Sequence, residues 1–299
     1  MIVSQALQRI RAGRFALIGI LIASTIAFVS SCRSDDSDPD IGTLLSATVL
    51  AQAAACNASL ARTQAGRSFT TSFEAVSDFD GFYLVPQNYQ NAASHELSTA
   101  QVRTGTNSHR GYITAQGPDC GAFANCNHRG YPTVQLHKTA QGGFRTPVLV
   151  EFYSYLDMSV PDQRWFSFAT FTSDSSDNWA RTVLVNLGNL NTGTTNYMHL
   201  FHVPTQSRGD WSYQTSDAQS PLAYPSNQWV KVSVCLDFDS TSGNARVFQD
   251  GTLVSSAAVQ GTCGVLEQAH FGLYAHPGLS SGSVYNDDLS ITEVAACPF

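Results

Sequence analysis

The densest run of chemistry-bearing side chains is His128-Arg129-Gly130-Tyr131-Pro132-Thr133-Val134-Gln135-Leu136-His137-Lys138. Side chains alternate along an extended chain, so Thr133, Gln135 and His137 would share one face while Val134 and Leu136 enter a core. Arginine, amide and imidazole groups on one surface stabilise charge that builds up in a transition state. An imidazole also takes or returns a proton at a reacting centre. Arg129, Gln135 and His137 are therefore the first catalytic candidates, with His128 beside them.

A second histidine pair lies in Tyr197-Met198-His199-Leu200-Phe201-His202-Val203. On a strand this odd spacing sends His199 and His202 to opposite faces, so they are not the two ligands of one metal site. Both are retained as candidates for ligand contact, one of them facing a groove. The hydrolytic alternatives lack their residues. Glycoside hydrolysis needs paired carboxylates straddling the bond; nothing resembles the Glu-x-Asp-x-x-Glu strand of jelly-roll glucanases, and Glu151 and Asp157 have the wrong spacing. No GxSxG, HExxH or P-loop pattern occurs.

These groups need a scaffold, and the scaffold reads as all-β. In Trp229–Phe238 the residues Val230, Val232, Val234, Leu236 and Phe238 fall on one face and Lys231, Ser233, Cys235 and Asp237 on the other. Shorter runs of the same kind are Val148–Leu156, Trp165–Phe171, Thr182–Leu187, Tyr197–Val203, Arg246–Gln249, Ala269–Tyr274 and Ser283–Val294. Turn-forming clusters separate them, such as Asp174-Ser175-Ser176-Asp177-Asn178. Asp250-Gly251 between Val247-Phe248 and Leu253-Val254 signals a tight hairpin. The expected fold is an antiparallel β-sandwich, a jelly roll, over residues 68–299.

The N-terminus reads as an address. Arg9, Arg11 and Arg14 precede the apolar run Phe15–Val29, too short to span a bilayer and suited to a secretory signal over residues 1–31. Val29-Ser30-Ser31-Cys32 resembles the bacterial lipobox, whose cysteine becomes the lipid-bearing first residue. Residues 32–67 begin with the acidic, polar tether Arg33–Asp40 and continue through a short apolar segment, Leu44–Ala55, of helical character. The expected location is the bacterial cell envelope, at the outer membrane or cell surface. With 16 basic and 23 acidic residues the chain carries a net charge of −7, and losing a leader that holds three arginines and no acid makes it more acidic still. It has no long basic run to neutralise phosphates, which argues against nucleic acid as a partner; a monomer is expected.

Seven cysteines are an odd number for an exported chain, and lipid on Cys32 leaves an even set for disulfides. Proximity pairs Cys120 with Cys126 and Cys235 with Cys263, leaving Cys56 for Cys297. No CxxC pair suggests zinc. If the terminal strands pair, Glu74, next to Phe73 in the first, meets Asp287 and Asp288 in the last. Such an oxygen-rich set suits a structural Ca²⁺.

Trp229-Val230-x-Val232, Asp237, Gly243 and Val247-Phe248-x-Asp250-Gly251-x-Leu253-Val254 together resemble the strand–hairpin core of concanavalin A-like jelly rolls. Phe271-Gly272-Leu273-Tyr274 and Val284-Tyr285-Asn286-Asp287-Asp288-Leu289-Ser290-Ile291 resemble the closing strands of heparin lyase-like domains. Gln135-Leu136-His137 is similar to the Gln-Ile/Val-His element of jelly-roll alginate lyases, whose Gln and His meet a uronate carboxylate. Their Arg-x-Glu-Leu-Arg element has no counterpart, Arg129 being a partial substitute. The resemblance implies a glycan partner and β-elimination as the chemistry, with the catalytic phenol at Tyr285 or, alternatively, Tyr274. It makes Trp165, Trp179, Arg181, Trp211 and Tyr213 candidates for sugar contact, alongside His128, His199, His202 and Tyr274. The fold carries both enzymes and plain binders, and a non-catalytic glycan-binding or adhesion protein is the alternative.

Overall fold

A computed structural model describes residues 50, 60–61, 65–79, 89–90, 92–118, 126–138, 142–161, 164–175, 179–188, 195–202, 212–213, 222–259 and 263–297. The expected signal, Cys32, the tether, the Leu44–Ala55 segment apart from Leu50, Cys56, Cys120 and Trp211 lie outside the described residues. Contacts divide the chain into residues 1–51 and 52–299, and the sandwich belongs to the second unit.

The strands in chain order begin with β1 (Ser68–Thr71), β2 (Tyr89–Gln90), β3 (Ala93–Ser98), β4 (Ser108–Ile113), β5 (His128–Gly130), β6 (Thr133–Gln135) and β7 (Phe144–Arg145). The long central strands are β8 (Val148–Asp157), β9 (Trp165–Thr172), β10 (Thr182–Gly188) and β11 (Tyr197–His202), followed by β12 (Ser212–Tyr213). The chain closes with β13 (Trp229–Asp237), β14 (Asn244–Gln249), β15 (Thr252–Ala258), β16 (Val265–Leu266), β17 (Gln268–Ala275) and β18 (Gly282–Glu293). A first sheet runs β15-β14-β13-β8-β18-β4-β3, with β1 also on β18; a second runs β12-β11-β10-β9-β17-β5-β2, with β6 also on β17. All pairings in both sheets are antiparallel.

Alternation produces the sandwich directly. Along β8 the residues Val148, Val150, Phe152, Ser154 and Leu156 are buried while Leu149, Glu151, Tyr153 and Tyr155 are only partly covered. Val232 and Val234 of β13 stand opposite Phe152 and Val150 and share their face. The second sheet answers with Phe166, Phe171, Val183, Val185, Leu200 and Phe271. Phe271 meets Phe152 and Phe171 edge-on, each pair of ring centroids 5.7 Å apart. Each such side chain contributes about 1.5–3 kcal/mol by leaving water. Asp250 and Gly251 have φ of 48° and 82°, the double left-handed turn that the hairpin signal between β14 and β15 requires.

A bulge lies in β17 between Phe271 and Tyr274. Gly272 sits there at φ 125°, where a Cβ would fall 2.6 Å from the His109 ring of the opposite sheet. Glycine at this position lets the two sheets approach over the pair His95 and His109, whose ring centroids are 5.2 Å apart.

The cysteine pairing departs from sequence proximity. Cys235 is bonded to Cys297, 62 residues away, so neither a Cys235–Cys263 nor a Cys56–Cys297 bridge exists. Cys235 lies on β13 opposite Leu149 of β8. Beyond β18 the tail stays beside the start of β8, where the Val294 amide donates to the Pro147 carbonyl. The tail thus reaches Cys235 across neighbouring strands. Cys126 and Cys263 are also disulfide-bonded.

Phe73 and Glu74 lie just beyond β1 rather than in it. The expected pairing of terminal strands does occur, with Thr71 opposite Leu289. Among the described residues no helix is long and apolar enough to cross a membrane.

Candidate functional site

The outer face of the second sheet collects polar side chains on adjacent strands. Gln268 stands opposite Gln135 of β6 and Thr172 of β9; His270 stands opposite Thr133 and Thr170. The intervening Ala269, and Phe271 beyond, enter the core, so the polar pairs share the other face. Tyr274 is opposite Arg129 on β5 and Ser167 on β9. Asn186 on β10 is opposite Ser167 and His199. Amides, hydroxyls and imidazoles therefore span five neighbouring strands.

Much of this surface is held by its own contacts. The Gln135 amide donates to Gln268 Oε1 at 2.9 Å, and the Gln268 amide donates to the Asp174 carbonyl at 2.6 Å. Asp174 accepts from the Ala180 amide at 2.8 Å, and the Thr172 hydroxyl donates to the Ala180 carbonyl. These bonds fix the segment carrying Trp179 and Arg181, both left-handed at φ 52°, an uncommon conformation for side-chain-bearing residues. Trp179 leans on His270 at 5.3 Å between ring centroids. Tyr274 touches His270, Trp165 and Tyr131, accepts from the Asn127 amide at 2.9 Å, and has the Arg129 guanidinium 5.7 Å from its ring centroid.

Some buried atoms on this face have no hydrogen-bond partner among the described residues: Thr170 Oγ1, Asn186 Oδ1 and His270 Nδ1. Buried polar atoms are nearly always hydrogen-bonded, so this surface retains capacity for a polar ligand. Burial drives the His270 pKa well below the usual histidine range, with the Arg129 charge adding to the effect. Burial also lowers His199 to about 4, against a smaller raising effect of the Tyr197 carbonyl. Both imidazoles are neutral at physiological pH. Burial pushes the Tyr131 phenol up, so it stays protonated.

The structure brings together Arg129, Gln135, Tyr274, Trp179 and His199, and separates the other candidates from them. Tyr285 is in β18 of the other sheet, where its ring meets Tyr155 edge-on at 5.9 Å; it cannot act with Gln135. His128 is buried and pairs through Nε2 with the Leu279 carbonyl at 2.9 Å. Its strand neighbour Ala275 is a core residue, so His128 faces inward. His202 is buried opposite the core residue Val183, which leaves only His199 of that pair on the outer face. His137 is not on an extended strand: the chain turns into a 3-10 segment, Leu136–Lys138, and the His137 amide donates to Glu267 O at 3.2 Å. Arg181 is half-buried at the edge of this face.

His270, Gln268, Tyr131, Thr170 and Asn186 are the contributors that the sequence reading passed over. A usable signal existed for His270, since it has the same parity as Tyr274 within the recognised run Ala269–Tyr274.

The acidic candidates converge elsewhere, on the loop between β3 and β4. Asp287 Oδ2 accepts from the Arg103 and Thr104 amides at 2.9 and 3.2 Å, and Asp288 accepts from the Thr104 hydroxyl at 2.6 Å. Glu74 Oε2 accepts from the Thr106 amide and hydroxyl at 2.9 and 2.7 Å. Burial raises the Asp287 pKa despite these donors, whereas the Thr106 hydrogen bonds lower that of Glu74. Among the described residues no group of three or more His, Cys, Asp or Glu is placed to hold a metal ion.

No protein-family model matches the sequence, and no curated protein matches it. Solved structures do share the fold. The cellulose-induced protein Cip1 superposes with a TM-score of 0.50 at 15% identity, over 76% of this chain and 99% of that one. The alginate lyase Aly36B gives 0.49 at 11% identity, over 76% and 97%. An endo-β-1,4-glucuronan lyase from the fungus Trichoderma reesei gives 0.47 at 13% identity, over 76% and 96%. The chain has an antiparallel β-sandwich fold of the jelly-roll kind.

Proposed function

We propose that this chain binds a glycan on the outer face of its second sheet. The observation that carries the reading is the set of partnerless buried atoms, Thr170 Oγ1, Asn186 Oδ1 and His270 Nδ1, on neighbouring strands of one face. Sugar hydroxyls both donate and accept, so they complement such atoms, while Trp179 and Tyr274 supply aromatic surface beside them. A glycan array probed with the full chain tests this. Saturable binding that falls at least tenfold in Gln135→Ala and in Asn186→Ala supports it; an array without hits overturns it.

A finer reading is β-elimination of a uronate-containing chain. Support comes from Arg129, Tyr274 and His270, which lie together, His270 and Tyr274 at 5.6 Å between ring centroids. In that reaction the Arg129 charge stabilises the carboxylate as charge builds on it. Neutral His270 takes the proton from the adjacent carbon, and the Tyr274 phenol returns one to the leaving oxygen. Incubation with alginate, glucuronan and heparin-type chains would raise the ultraviolet absorbance of the unsaturated product, and His270→Ala would abolish the rise. No product from that panel leaves the binding reading alone standing.

The cellular setting belongs to the same proposal: Cys32 carries lipid and holds the domain at the bacterial cell surface. Its support is the Val29–Cys32 motif after an apolar leader. Radiolabelled palmitate incorporation, lost in Cys32→Ala, tests it.

A further inference from the structure

The outer face of the first sheet carries a row of side chains in register. Trp229 of β13 is opposite Tyr155 of β8, Tyr155 is opposite Tyr285 of β18, and Tyr285 is opposite Arg110 of β4. The rings touch edge-on, with Trp229 to Tyr155 at 5.6 Å and Tyr155 to Tyr285 at 5.9 Å between centroids. Tyr285 is 4% exposed and backs the other two. Trp229 and Tyr155 keep part of their surface open to solvent.

At the end of this face, where the turn after β8 meets the residue before β11 and the start of β18, lies a cavity of about 450 Å³, lined among others by Asp157, Asn196, Ser226, Asn227 and Ser281. Asp157 has the same parity as Tyr155 on β8, so it shares the face of the aromatic row. Asn227 is held left-handed at φ 59° and its amide donates to the Leu156 carbonyl at 2.9 Å, which fixes this edge of the cavity next to Trp229. Asn196 Oδ1 is buried and has no hydrogen-bond partner. The volume falls within the range of about 300–1,000 Å³ common for small-ligand sites.

We infer that this cavity and the adjoining Trp229–Tyr155 surface form a second saccharide-binding site, on the opposite side of the sandwich from the first and selective for neutral sugars. Amides, hydroxyls and one carboxylate match sugar hydroxyl groups, and the aromatic surface stacks on the apolar face of a pyranose ring. The charges decide the class. Of the cations on this face, Arg110 and Lys231 are already paired with Glu96 at 3.0 Å and Glu151 at 2.8 Å, and Arg103 lies over the Tyr153 ring at 4.2 Å from its centroid. Asp157 adds negative charge at the cavity, so an anionic sugar would meet repulsion. Two sites on opposite faces would let one molecule bridge two chains or two segments of the same matrix.

Titration calorimetry with cellohexaose, xylohexaose and mannohexaose, in a Gln135→Ala background that weakens the first face, tests the site. Saturable binding of at least one of these is expected to survive Gln135→Ala and to weaken at least tenfold on adding Asp157→Ala or Trp229→Ala. Exposed Asp157 is the informative position if Trp229→Ala lowers folding, which circular dichroism melts report. Absence of binding to all three neutral probes overturns the inference, and so does binding indifferent to both substitutions. Equal affinity for an alginate hexasaccharide that depends on Trp229 overturns the selectivity.

Discussion

Tyr131 lies flat on His270, with ring centroids 3.8 Å apart and planes 9° from parallel. The stack covers one side of an imidazole whose other aromatic neighbours are Trp179 and Tyr274. Removing it readmits water. In Tyr131→Ala the His270 pKa, now held down chiefly by burial, should climb towards the ordinary histidine value. Titration of the imidazole by NMR measures this directly, and a value that stayed put would show that burial by Tyr131 is not the cause.

Stability should fall in mild acid. His95 and His199 are lowered to about 4, and His109 and His270 lie well below the usual range, all chiefly through burial. Unfolding returns each to about 6.5, so between those values the unfolded chain binds more protons than the native one. Melting temperature should be flat above about pH 7 and drop steadily from pH 6.5 towards 4. The loss is on the order of 3 kcal/mol for each of His95 and His199 by pH 4. His95→Gln should flatten part of the slope.

Gly272→Ala should be among the most damaging single-methyl changes in the chain. The new Cβ would lie 2.6 Å from the His109 ring, on a backbone at φ 125°. Steric overlap and backbone strain together should cost about 3 kcal/mol or more, read as a shift in urea midpoint. Adding His109→Ala should recover part of that loss, since it removes the overlap but not the strain.

Gln268 joins two parts of the site, receiving from Gln135 and donating to the Asp174 carbonyl. Gln268→Ala leaves both partners short of a hydrogen bond in a buried setting. Each such group costs about 1–3 kcal/mol, and the Trp179 segment loses one of its ties. Faster proteolysis or hydrogen exchange at residues 174–181 would report the loosening.

Cys235→Ala with Cys297→Ala removes a cross-link closing 62 residues. The unfolded chain gains freedom worth about 4 kcal/mol on the loop-entropy account. Urea denaturation of the double variant against the parent checks the size of the effect.

The strands with aliphatic alternation were legible in the sequence because burial on one face writes itself as period two; β8, β13 and β17 are of this kind. Strands β3 and β4 were not, since their inward positions include His95, His109 and Gly111 where valines would have been read. Periodicity also fails to say which sheet receives a strand. Tyr274 and Tyr285 looked equivalent as phenols, yet β17 and β18 lie in opposite sheets. The expected strand through His137 failed locally, because the chain turns after Gln135 once β6 has paired with β17. Disulfide pairing followed spatial neighbours across β8 rather than spacing along the chain, and nothing in a single sequence reports that.

Strand β18 pairs with β8 on one side and with both β4 and β1 on the other. In chain order it follows every other strand, so a ribosome delivers it after all its partners. Until then β1, β3 and β4 have no route into the first sheet, because β18 is their connection to β8. Three of that sheet's eight strands must therefore wait, exposed, for a strand made late. Pairing over such long separations is slow and leaves unpaired edges open to aggregation until β18 is in place.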